Sequence, residues 1–143
     1  MTAYYFDSSA LVKRYVEEAG STWIRSLLEP PAECDAVTVA LTRVEIASAI
    51  ARRCRSGSLT SEEASTATNI AEYHLISEFH LVNVASEILS AGIDLSLRHG
   101  LRAYDAVHLA AAKLMQSERL ASGLSPISLV SADTELNSAA LAE

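Results

Sequence analysis

The sequence predicts a helix-rich α/β fold in a single domain, residues 1–143, and three observations carry that prediction. Half of the 143 residues are hydrophobic while aromatics make up only 6%, so Ala, Leu, Val and Ile must fill the core, a composition suited to helices packed closely on a sheet. The length matches one domain and is enough to bury a real core. The stretch Thr2 to Tyr15, TAYYFDSSALVKRY, hands a short strand over to a helix at an acidic residue, Asp7.

The strand is Ala3-Tyr4-Tyr5-Phe6, uncharged and rich in strand-favouring aromatics, consistent with a central strand covered on both faces. Ser8 or Ser9 can cap the following helix, in which Leu11 with Tyr15 and Val12 with Val16 recur at i and i+4. In an open parallel sheet ligands gather beyond the carboxyl ends of the strands, where Asp7 stands. Asp is also a common helix cap, so Asp7 has two readings.

Gly20-Ser21 marks a turn, and Trp23, Ile24, Leu27 and Leu28 supply the apolar stripe of a second short helix ended by Pro30-Pro31. Ala36-Val37-Thr38-Val39-Ala40 is the second strand. Thr42-Arg43-Val44-Glu45 has the pattern of a capping box opening a helix to about Arg55, before Gly57. Glu45 therefore has a structural reading of its own. Thr60-Ser61-Glu62-Glu63 is a second such box, starting a helix to about Ser77.

Leu81-Val82-Asn83-Val84 is a strand or an extended connection. Ser86 then caps a helix carrying Ile88, Leu89, Ile93, Leu95 and Leu97, with Gly100 suited to its C-terminal end. The small residues of LRAYDAVHLAAA, from Leu101 to Ala112, let the next helix lie close on the sheet. Asp105 falls in its first turn, where the helix dipole favours an acid. His108 shares that face and is read as a packed or hydrogen-bonded histidine ahead of a proton carrier or ligand. Ser122 to Pro126 is a loop, Ile127 to Ser131 the last strand, and Asp133 caps the terminal helix or serves a site.

The net charge is −7, from 11 Lys and Arg against 18 Asp and Glu, which excludes a global basic field for nucleic acid or anionic membrane. Arg52, Arg53 and Arg55, and Lys13 with Arg14, are the basic clusters, read as solvated helix faces. Cys34 and Cys54 lack metal-ligand spacing and read as free thiols in a reducing compartment. With no signal-peptide pattern and no apolar run of membrane-spanning length, the expected location is cytoplasmic, with no membrane partner.

Asp7 and Asp133 follow strands, whereas Glu45 and Asp105 lie in the first turns of helices. In a parallel sheet those positions share one rim. Crowded carboxylates raise one another's pKa, so such a cluster binds either protons or a cation. All-oxygen ligands favour Mg²⁺ or Mn²⁺, which leaves room for water and phosphate oxygens and points to phosphoryl chemistry.

YFDSSALVKRY, TRVEIASAI, LRAYDAVHLAAA and LVSADTEL resemble the four acidic motifs of PIN-domain ribonucleases, specifically the VapC toxins of type II toxin–antitoxin pairs. The resemblance spans nearly the whole chain. It implies a three-layer α/β/α sandwich around a parallel sheet of four or five strands. It further implies a Mg²⁺- or Mn²⁺-dependent endoribonuclease that cuts RNA involved in translation, inhibited by a cognate VapB-type antitoxin and forming a homodimer. Carried over by motif, Asp7 and Asp105 match the principal metal-binding aspartates, with Glu45 and Asp133 as further acids. Ser9 and Ser131 match hydroxyls that support the acidic pocket. Many relatives continue into a further short strand after the position where this sequence ends.

Two other classes fit less well. A PIN-like module that pairs with a partner without cutting need not keep all four acids. A phosphatase or phospho-accepting domain needs a second Asp after Asp7-Ser8 and a Lys after the last strand, and neither is present.

Overall fold

The computed structural model describes residues 1–30 and 33–143; Pro31, offered above as part of a helix stop, lies outside them. Four strands, β1 (Thr2–Phe6), β2 (Cys34–Val39), β3 (His80–Val82) and β4 (Ile127–Val130), form a sheet in the order β3-β2-β1-β4. All three pairings are parallel, with Tyr5 opposite Val37, Phe6 opposite Val130 and Val39 opposite Val82.

The helices are α1 (Ser8–Tyr15), α2 (Ser21–Leu28), α3 (Thr42–Arg55), α4 (Ser61–Ser77), α5 (Ser86–His99), α6 (Ala103–Ala121) and α7 (Thr134–Ala142). Strand alternation sorts the core into two layers. Tyr5, Val37, Val39 and Val82 face α5, α6 and α7, while Phe6 and Val130 join residues of α1 to α4 on the other side. Burying each such side chain stabilises the fold by roughly 1.5–3 kcal/mol.

The strand order explains which helices lie where. From β1 the chain steps outward to β2 and β3, then returns to place β4 on the opposite flank of β1. Parallel crossovers are almost always right-handed, so reversing the direction of travel moves the connecting helices to the other face. The reversal opens a crevice beyond the carboxyl ends of β1 and β4.

Several local expectations change. The cap of α1 is Asp7 itself, whose side chain accepts from the Ala10 N–H, rather than Ser8 or Ser9. Trp23 is 55% exposed while Ile24 anchors α2. No side chain caps α3: the Thr42 hydroxyl pairs with that of Thr38 at 2.7 Å, and Thr38 donates to the Phe6 carbonyl at 2.7 Å. Glu45 is thereby released from the predicted box. The box at Thr60 and Glu63 forms in both directions. Ala85, not Ser86, precedes α5 and makes no side-chain cap, and only Ile88 and Leu95 of its predicted stripe are buried. Gly100 ends α5 at φ 65, a left-handed conformation that favours glycine.

Candidate functional site

The crevice is built first by the ends of β1 and β4. Past Phe6, the Asp7 N–H donates to the Val130 carbonyl at 3.2 Å and extends the ladder by one bond. Asp7 is 2% exposed. Its Oδ1 accepts from the Ala10 N–H at 3.0 Å and the Ser9 hydroxyl at 2.8 Å, and its Oδ2 accepts from the Ser131 hydroxyl at 2.6 Å. The two serines also accept backbone N–H groups, Ser9 from Ala132 and Ser131 from Asp133, each at 3.0 Å. One small network thus clips the β4–α7 turn to the start of α1. Asp133 stands within it and caps α7 through the Leu136 N–H at 3.0 Å.

Asp105 comes from the other layer. It is 4% exposed and receives no hydrogen bond among the described residues. Burial pushes its carboxyl up to about 6, with the nearby Asp133 and Asp7 charges adding to the shift, while His108 and Arg102 oppose it. A buried acid with anionic neighbours needs a proton or a cation.

Glu45 is fixed from two sides. The Ser8 hydroxyl donates to its Oε2 at 3.1 Å, and His108 Nε2 lies 2.7 Å from its Oε1. His108 Nδ1 is in turn 2.9 Å from the hydroxyl of fully buried Tyr5. Burial, followed by the Asp7 and Glu45 charges, raises the Tyr5 pKa well above that of an ordinary phenol. Tyr5 therefore keeps its proton; because the Glu45 carboxylate can only accept, Nε2–H donates to it, while Nδ1 shares a hydrogen bond with the Tyr5 hydroxyl.

The structure brings Asp7, Glu45, Asp105 and Asp133 to one edge of the sheet, with Ser9 and Ser131 between Asp7 and the β4 turn. Among the described residues, no three His, Cys, Asp or Glu side chains form a ready-made metal cage. The reading of His108 as a hydrogen-bonded histidine agrees with its contacts, but its partner is a member of the acidic set. Sequence patterns mark Tyr5 and Ser8 only as strand and cap residues. The signal available for His108 was its position at i+3 from Asp105.

The comparisons with known proteins point the same way. The sequence matches the family model described as PIN domain over residues 4–141. No curated protein matches the chain with significance. Among solved structures, that of PAE2754 from Pyrobaculum aerophilum superposes with a TM-score of 0.64 at 22% identity, covering 96% of this chain and 79% of that one. At that identity the likeness is one of fold.

Proposed function

The chain belongs to the PIN-domain family, and from that premise we propose that it is a divalent-metal-dependent endoribonuclease acting as the toxin of a type II toxin–antitoxin pair. PIN domains are in general nucleases, which supports hydrolysis of nucleic-acid phosphodiesters. The finer reading, a VapC-type toxin that cuts RNA of the translation machinery and is restrained by a VapB-type antitoxin, rests on the four sequence motifs.

One observation carries the chemistry: Asp105, a largely buried residue whose carboxylate takes no hydrogen bond from the described residues and opens to solvent, feels the charges of Asp133 and Asp7. An all-oxygen set with surplus negative charge fits Mg²⁺ or Mn²⁺, and Mg²⁺ characteristically binds through one or two carboxylates plus water and substrate phosphate rather than a full protein cage. Asp7 and Asp105 would hold the ion, with Glu45 and Asp133 as further ligands. A bound ion supplies Lewis-acid polarisation of the phosphate and lowers the pKa of its water. The chain does the positioning: Ser9 and Ser131 fix both Asp7 oxygens, and His108 with Ser8 fixes Glu45.

Purified tRNA and ribosomal RNA incubated with the protein and Mn²⁺ or Mg²⁺ should be cut. Cutting should stop with EDTA and in Asp105→Asn. If cutting survives both, the site is misassigned.

A second reading, a binding module that no longer cuts, draws on the absence of a three-residue cage among the described residues. Titration calorimetry with Mn²⁺ separates the two, because such a module has no metal affinity at the four acids. Homodimer formation and antitoxin binding are supported by apolar side chains left exposed on α5, where Leu89, Ile93 and Leu97 recur every fourth residue. A cytoplasmic site of action is part of the same proposal; no helix among the described residues is long and apolar enough to cross a membrane.

A further inference from the structure

A chain of net charge −7 with an acidic crevice repels the phosphate backbone it is proposed to cut. The attraction must come from a few cations near the crevice, so the cations already committed elsewhere matter. All 11 Lys and Arg lie among the described residues, and all but Arg52, Arg55 and Arg102 are paired with a carboxylate. Lys13 and Arg53 both reach Glu18, and Arg43, beside the acidic site in sequence, is held by Glu72 at 3.0 Å. Of the basic clusters of the sequence, Lys13, Arg14 and Arg53 are thus neutralised by partners within the chain, and Arg52 and Arg55 are not.

Of the three uncommitted cations, Arg52 and Arg55 sit in the last turn of α3. The helical rise carries them roughly 10 and 15 Å along the axis from Glu45 in the first turn. Arg102 is placed differently. It immediately precedes α6, three residues ahead of Asp105, and feels the charges of Glu135 and Asp105. Its Nη1 donates to the Tyr104 hydroxyl at 2.9 Å. Tyr104 is 41% exposed although the next residue, Asp105, is buried. An uncommitted guanidinium and an open aromatic ring, tied to each other, thus stand at the start of α6, next in sequence to Asp105.

Each group has a natural ligand in a nucleic acid. Guanidinium groups recognise phosphate through a planar fork of donors. Aromatic rings stack on bases, and a base is available for that only when it is unpaired. Resting on the ribonuclease reading above, we infer that Arg102 and Tyr104 form a substrate clamp: Tyr104 stacks an unpaired base flanking the scissile phosphodiester, and Arg102 takes an adjacent backbone phosphate. The RNA is accordingly single-stranded at the cut. The Arg102–Tyr104 hydrogen bond holds the two groups in register for neighbouring parts of one nucleotide.

The test is fluorescence anisotropy in EDTA, where nothing is cut, with a fluorescein-labelled mixed-sequence RNA of about 12 nucleotides as single strand and as duplex. Tyr104→Ala should raise the single-strand Kd about tenfold or more while leaving the duplex Kd unchanged, and Tyr104→Trp should restore single-strand binding. Arg102→Ala should weaken binding of both and lower the slope of log K against log salt by about 0.7 for the single strand. Both side chains are exposed, and matching circular dichroism and Tm will show that the variants fold. Unchanged single-strand affinity in folded Tyr104→Ala, or equal losses for single strand and duplex, overturns the clamp. If the wild-type protein cuts RNA with metal and Tyr104→Ala binds as it does, the clamp alone fails. If the wild type neither binds nor cuts, the ribonuclease reading fails with it.

Discussion

His108 Nε2 lies 2.7 Å from Glu45 Oε1 across 63 positions of sequence, joining α6 to α3 over the floor of the acidic crevice. Behind it, Nδ1 of the same ring pairs with the Tyr5 hydroxyl at 2.9 Å. A central strand residue therefore reaches the acidic set through one imidazole.

Replacing His108 with Ala should leave the Tyr5 hydroxyl buried without its hydrogen-bond partner and remove one of the two donors that hold Glu45. A loss of about 1–3 kcal/mol in urea unfolding is expected. His108→Gln, which keeps an N–H near the position of Nε2, should recover part of the activity while still lacking the Tyr5 contact. Equal losses in Ala and Gln would show that the Glu45 bond is unimportant.

Asp105→Asn should lower hydrolysis by orders of magnitude and, without metal, make the protein more stable at pH 7. The sign follows from the raised carboxyl. With a folded pKa of about 6 against an unfolded value near 3.9, the folded state holds the extra proton, so wild-type stability falls as pH rises from about 4 to about 6. The penalty is fully present above that window and absent below it. Its size is on the order of 1 kcal/mol after allowance for solvent at the mouth of the crevice. Thermal melts of wild type and variant at pH 4 and pH 7 measure it, and a gap that does not widen with pH contradicts the assignment.

Divalent metal should stabilise the protein more at pH 7 than at pH 5, because only ionised Asp105 binds a cation. At free Mn²⁺ about 100 times Kd the stabilisation is about 2.7 kcal/mol. Differential scanning calorimetry with and without EDTA reads this directly. A Tm that responds equally at both pH values would place the ion away from Asp105.

Ser131→Ala should act at a distance from any bound ion. It removes the 2.6 Å hydrogen bond to Asp7 Oδ2 and the acceptor for the Asp133 N–H, loosening two acids together. Losing a partner that orients a metal ligand typically costs 10–100-fold in affinity, and calorimetric titration with Mn²⁺ should show a loss in that range. Ser131→Thr, which keeps the hydroxyl, should stay near wild type.

Much of the fold was legible because it is written in short-range patterns. Thr60 and Glu63 form their capping box as the spacing predicts, and Gly100 ends α5 where a left-handed residue is needed. The same logic failed at Thr42 and Glu45, where the box pattern is complete but unused. A surface capping bond is worth about 1 kcal/mol. Here buried Thr38 offers Thr42 another partner, and His108 and Ser8 offer Glu45 charge-assisted hydrogen bonds, the stronger class of contact.

The sequence by itself determined the alternation of strands and helices, the α/β class, and the placement of Asp7, Glu45, Asp105 and Asp133 at element junctions, since these depend on residues a few positions apart. Only the tertiary structure decided what those acids touch. Asp7 turned out to be a helix cap and a member of the acidic set at once, because its two oxygens accept from α1 and from β4's end together. Arg102 took no carboxylate partner, and His108 acquired Glu45 and Tyr5 through contacts between distant segments. Those contacts arise where the chain reverses between β3 and β4, and periodicity along a single segment carries no record of them.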